Sequence, residues 1–139
     1  MPVAGNPDAA MMAGPKAIAR FIATRDEAAL AGVFADRDIT IIENFAPHVF
    51  AGPDATADWL TGMRAHLNEV SGLEHSFGPA CDFSRAGPLV FFTLPTVWKG
   101  RARGRRFRER GGWAFVLVES GAKWRVKGYA WAVTEISAD

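Results

Sequence analysis

The chain has 139 residues, a net charge of +1 and 49% hydrophobic residues, which describes one globular domain able to bury its own core. A single cysteine, Cys81, excludes an internal disulfide and any multi-cysteine metal site. No run approaches the roughly 20 apolar residues of a membrane helix, and MPVAGNPDAAMMAG has no basic segment before an apolar one, so neither a membrane span nor a secretory leader is expected. A soluble, cytoplasmic protein is the expectation.

Residues 1–14 are small and aperiodic and predict a frayed terminus, with one domain over 15–139. Pro15 suits a first helical position. Ile18, Phe21 and Ile22, then Ala29, Leu30, Val33 and Phe34, recur at helical spacing and predict helices over 15–24 and 26–35. From Asp38 to Gly52 the period changes to two. Ile39, Ile41, Glu43 and Phe45 share one strand face, and Ala46-Pro47 reads as a two-residue turn. Such a turn faces Phe45 with His48 and Glu43 with Phe50, leaving Glu43 and His48 diagonal on one face.

Gly52-Pro53-Asp54 stops the chain and restarts it. Asp54 is a plausible N-cap, and Trp59, Leu60, Met63, Leu67 and Val70 make a helical stripe ending near Ser71-Gly72. The remainder reads as strands over 73–83, 89–99, 105–119 and 123–135 separated by glycine turns, with Pro95 marking a bulge or edge. The fold class is therefore α+β: a cone-shaped, strongly curved, mostly antiparallel sheet with three helices on its concave side.

Glu43 carries the chemistry this sequence offers. A carboxylate on an apolar face has its charged form disfavoured, so its pKa rises towards the range useful to a base. His48 is its expected partner, as acid, base or hydrogen-bond donor. The aromatic residues predict a cavity, with Phe21, Trp59, Met63, Phe92, Trp98, Trp113, Tyr129 and Trp131 as its candidate walls. Asp82 is a second acid held in reserve. His66 and His75 read as structural, and the three histidines lack zinc-motif spacing, so no metal is expected. No glycine-rich phosphate loop is present and no cofactor is expected.

Residues 99–139 hold 10 Lys/Arg against 4 Asp/Glu. Most of that excess lies in KGRARGRRFRER, Lys99 to Arg110, which reads as a charged, solvated hairpin rather than a nucleic-acid surface.

Three stretches in this order resemble the nuclear transport factor 2-like superfamily, which includes SnoaL-type cyclases and ketosteroid isomerases: AIARFIATRDEAALAGVFADRDITIIENF, FAPHVFAGPDATADWL and the closing VWKGRARGRRFRERGGWAFVLVESGAKWRVKGYAWAVTEI. The resemblance implies a pocket for a small apolar or aromatic molecule and a homodimer formed through the sheet. It also implies a cofactor-free isomerase, cyclase or hydrolase using Glu43 as base. The alternative is a non-catalytic dimeric interaction module with a vestigial pocket. The isomerases place a general-base Asp near the position of Glu43. They use a Tyr where Phe21 stands and a protonated Asp near Trp113. Neither oxyanion donor is present, so the resemblance does not extend to steroid isomerisation.

Overall fold

The computed structural model describes residues 5–138. Helix α1 spans Ala9–Thr24, starting six residues before the expected position, and so the stretch expected to fray is helical from Ala9; residues 1–4 lie outside the described part. The reason is a cap. The Asp8 side chain accepts a hydrogen bond from the Met11 amide at 2.9 Å, satisfying one of the free donors of the first turn. Met11 and Gly14 are then buried, and a Cβ at Gly14 would stand 2.9 Å from the Val126 side chain.

The second predicted helix is a single 3-10 turn, Glu27–Leu30, capped by Asp26. Its apolar residues are spent docking an extended segment: Val33 accepts from the Val126 amide and Ala35 donates to the Val126 carbonyl. The described residues thus form two α-helices rather than three, the other being α2, Ala55–His66. Two short strands, β1 (Thr40–Ile42) and β2 (Val49–Ala51), precede α2. The stretch predicted as one strand over 73–83 divides at Gly78-Pro79-Ala80 into β3 (Val70–Phe77) and β4 (Cys81–Ala86). The long strands β5 (Leu89–Ala102), β6 (Arg105–Ser120) and β7 (Lys123–Ala138) follow.

The sheet order is β2-β1-β7-β6-β5-β3, with β4 also pairing β5. All pairings are antiparallel except β1 with β7. Pro95 sits where β5 changes partner, because β4 pairs up to Thr93 and β3 begins at Thr96. A residue without an amide proton loses no ladder bond there, and its carbonyl accepts from Gly78. Alternate residues of β5 and β6, Val90, Phe92, Leu94 and Trp98 against Trp113, Phe115 and Leu117, are buried against Ile18, Phe21 and Trp59 of the helices. They form the core that covers the sheet's inner face.

The β1–β7 junction sets the position of Glu43, one residue beyond β1. Thr40 pairs with Gly128 there, and a Cβ on Gly128 would lie 2.3 Å from the Thr40 carbonyl oxygen. Gly128→Ala is expected to push β1 off β7 and to destabilise the fold by about 3 kcal/mol. Urea unfolding checks this, and a cost under about 1 kcal/mol would show that β1 can move without penalty.

Candidate active site

Glu43 is 5% exposed, which is unusual for a carboxylate with no cation beside it. Two elements hold it. From α2, the Trp59 indole donates to Oε2 at 3.0 Å; from β7, the Tyr129 hydroxyl donates a short hydrogen bond to the same oxygen. Both donors are themselves buried, and the two rings meet edge to face. Oε1 has no hydrogen-bond partner among the described residues, and Glu43 lines a cavity of about 270 Å3. Burial pushes the Glu43 pKa above its ordinary value of 4.5. The Trp59 and Tyr129 hydrogen bonds pull it back by stabilising the ionised form, and the charge of Glu109 adds to the rise. Tyr129 is raised well above the ordinary phenol value by burial and by the Glu43 carboxylate, so it acts as a fixed donor.

The cavity wall is apolar apart from Glu43, Asn44, His66 and Glu109. Of the candidate wall residues, Met63, Trp98, Trp113 and Trp131 line it. Trp113 and Trp131 are opposite one another on β6 and β7 and pack edge to face at 6.0 Å; Trp98 lies 6.2 Å from Trp113. Gly111 makes room for this arrangement, since a Cβ there would meet the Trp131 ring at 2.5 Å. The Trp113 indole N–H is buried with no hydrogen-bond partner among the described residues.

The other predicted wall residues stand behind the cavity rather than in it. Trp59 and Tyr129 hold Glu43 as described. Phe21 packs on Trp59 at 5.6 Å and Phe92 on Phe115 at 6.2 Å, both in the core. Asp82 is exposed on β4 with a φ of 55°, away from the cavity.

His48 is a correction. The β1–β2 register pairs Ile41 with Phe50 and Ile42 with Val49, which sets His48 opposite Glu43 instead of diagonal to it. The connection is therefore a four-residue loop, Asn44 to Pro47, with a cis Ala46-Pro47 bond. His48 adopts a φ of 73°, its ring Nδ1 lies 3.1 Å from the Glu43 carbonyl oxygen, and the residue is exposed. It holds the loop's backbone and does not touch the carboxylate.

Two titratable residues of the site had no role in the sequence reading. His66, at the end of α2, stacks on Phe45 at 4.3 Å and lines the cavity; burial holds its pKa below the ordinary imidazole value. Glu109 was read as part of the basic hairpin. It faces inward because β6 alternates: Phe107, Glu109 and Trp113 reach the cavity, while Arg106, Arg108 and Arg110 take the intervening positions. Its neighbours across the sheet are Trp98 and Ile136. Burial raises its pKa, opposed by the nearby Trp131 indole. The alternation from Arg106 to Arg110, with arginines at every second position and Phe107 and Glu109 between them, was the signal that would have found it. Around it, Arg103 pairs with Glu69 at 2.5 Å and Arg110 with Glu135 at 3.6 Å. Lys99 stands opposite Arg108 and Arg101 opposite Arg106.

Among the described residues no group of three or more His, Cys, Asp or Glu is arranged to hold a metal ion, and no helix is long and apolar enough to cross a membrane.

No protein-family model and no curated protein sequence matches the chain, whereas solved structures do. The hexachlorocyclohexane dehydrochlorinase LinA-type3 from Novosphingobium barchaimii LL02 superposes with a TM-score of 0.79 at 11% identity, over 94% of this chain and 88% of that one. Kfla4162 from Kribbella flavida gives 0.77 at 13%, over 93% and 91%. A nuclear transport factor 2-like superfamily protein from Salmonella enterica serovar Typhimurium gives 0.69 at 14%, over 88% and 87%. Identities this low speak to architecture, and the chain has the nuclear transport factor 2-like fold.

Proposed function

We propose that the chain binds a small, largely apolar molecule in the Trp-lined cavity and exchanges a proton with it at Glu43. One observation carries this reading: a buried carboxylate whose Oε2 is held by Trp59 and Tyr129 while the residue opens onto an apolar cavity. Two fixed donors orient the group, and the apolar surroundings raise its proton affinity towards the working range of a base or acid. The cavity is at the small end of ligand pockets, which fits a molecule of one or two rings. The fold is similar to that of a protein that is, by name, a dehydrochlorinase of hexachlorocyclohexane, and that is compatible with an apolar substrate here.

Ligand binding is tested by titrating bicyclic aromatic probes into the protein while following tryptophan fluorescence. Saturable quenching is expected. Leu73→Trp, which fills the cavity from β3, is expected to weaken binding at least about tenfold with an unchanged circular dichroism spectrum. Absence of saturation, or equal affinity in the filled variant, would sink the reading.

A further inference from the structure

We propose that Glu109 is a ligand-binding residue, and that it selects amines: the ammonium group of the bound molecule sits against the Glu109 carboxylate while its ring lies among Trp98, Trp113 and Trp131. This names the ligand class for the cavity and rests on the reading of that cavity as a ligand site.

The argument begins with what the wall offers. Its polar side chains apart from the indoles are two carboxylates, an amide and an imidazole, and no Lys or Arg is among the described residues that line it. The ion pairs of the described residues all lie elsewhere, on Asp26, Glu27, Glu69, Glu119 and Glu135. Glu109 is thus a half-buried carboxylate in an apolar wall without a counter-charge, an arrangement that is costly unless something supplies one. The adjacent arginines do not, because β6 alternation puts Arg108 and Arg110 on the opposite face. Glu43 differs: two protein donors already satisfy its Oε2, which leaves it to exchange a proton.

An anionic ligand would meet two acids and no cation, and a ligand with only acceptors would leave Glu109 without a counter-charge. An ammonium supplies both charge and donors. The walls suit it as well, since indole rings attract cations. Trp98 is directly across from Glu109 on β5, and Trp131 is close enough to affect its titration.

The test uses three probes on one skeleton: 2-naphthylmethylamine, 2-naphthylmethanol and 2-naphthoic acid, titrated calorimetrically at pH 7.5 into wild type, Glu109→Gln and Glu119→Gln. The last removes a surface charge paired with Arg85 and serves as the charge control. The amine is expected to bind roughly tenfold tighter than the alcohol, and the acid weakest. In Glu109→Gln the amine-to-alcohol ratio is expected to fall to about one with the alcohol's affinity unchanged, whereas Glu119→Gln keeps the wild-type ratio. Equal binding of amine and alcohol to wild type, a preference for the acid, or a ratio indifferent to Glu109→Gln overturns the amine assignment and leaves the cavity reading standing. Failure of all three probes to bind overturns both.

Discussion

Trp59→Ala is expected to lower stability by about 4 kcal/mol, the cost of removing a large ring from a packed core, and the melting temperature by on the order of 15 °C. The side chain is fully buried and touches rings on three other segments: Phe21 of α1, Phe34 of the extended segment and Tyr129 of β7. It is the point where α2 is fastened to the rest of the molecule. Trp59→Phe separates packing from hydrogen bonding. It keeps most of the ring, loses the indole N–H, and is expected to cost about 1.5 kcal/mol. With one donor gone from Oε2, the Glu43 pKa rises further, so any rate that depends on ionised Glu43 shifts its half-maximum to higher pH. Urea unfolding of the two variants checks the first claim. Equal losses for Ala and Phe would mean that the hydrogen bond, not the ring, anchors α2.

Glu43→Gln is expected to do opposite things to activity and stability. 5-Nitrobenzisoxazole is a suitable probe, because a carboxylate that takes its ring C–H proton breaks the N–O bond and releases a coloured cyanophenolate. Wild type is expected to accelerate this reaction with a rate that rises as Glu43 ionises, at a pH above 4.5. Glu43→Gln is expected to lose roughly 100-fold or more. Equal rates would remove proton transfer from the proposed function and leave binding alone. Stability follows from linkage. Glu43 binds its proton more tightly in the folded chain than in the unfolded one, because burial raises its pKa. Its contribution to stability is therefore full below pH 4.5 and declines as pH rises through the folded value. Glutamine stays neutral and its carbonyl oxygen can still accept from Trp59 and Tyr129. At pH 7.5 the variant is expected to be more stable by about 1 kcal/mol, with a flatter dependence on pH. The groups facing Glu43 that share this window are His66 and Glu109, so both proteins are compared across the same pH series. A variant less stable than wild type at pH 7.5 would show that the ionised carboxylate is the favoured buried form.

Taken together, these expectations separate the two carboxylates of one cavity. Glu43 is restrained by two buried protein donors and is proposed to exchange a proton, while Glu109 has only the nearby Trp131 indole and is proposed to meet the ligand. Both sit in apolar surroundings, and depth of burial and hydrogen-bond neighbours distinguish them.

Much of this was legible in the residue pattern. Period-two alternation in the last third of the chain produced three long strands, and glycine turns at residues 87, 104 and 121, all with positive φ, separated them where expected. The placement of Glu43 on one strand face between Ile41 and Phe45 marked it as a buried acid. These features depend on local chemistry, which a linear pattern carries. What it does not carry is register and partner. The β1–β2 hairpin closes with a four-residue loop rather than a two-residue turn, and the positive φ of His48 sends its ring to the Glu43 carbonyl instead of the carboxylate. The helix expected over residues 26–35 gave way to a segment that gains more by pairing with Val126 on β7. Trp59 and Tyr129, 70 residues apart, became partners of one oxygen only through the packing of α2 against β7. Glu109 sits in a run of arginines whose charge dominates any window average, and only the inward face of a curved sheet reveals it as part of the cavity. Sequence thus determined the three long closing strands and which acid is buried; tertiary structure decided which donors hold that acid and which second acid joins it, because long-range contacts set both.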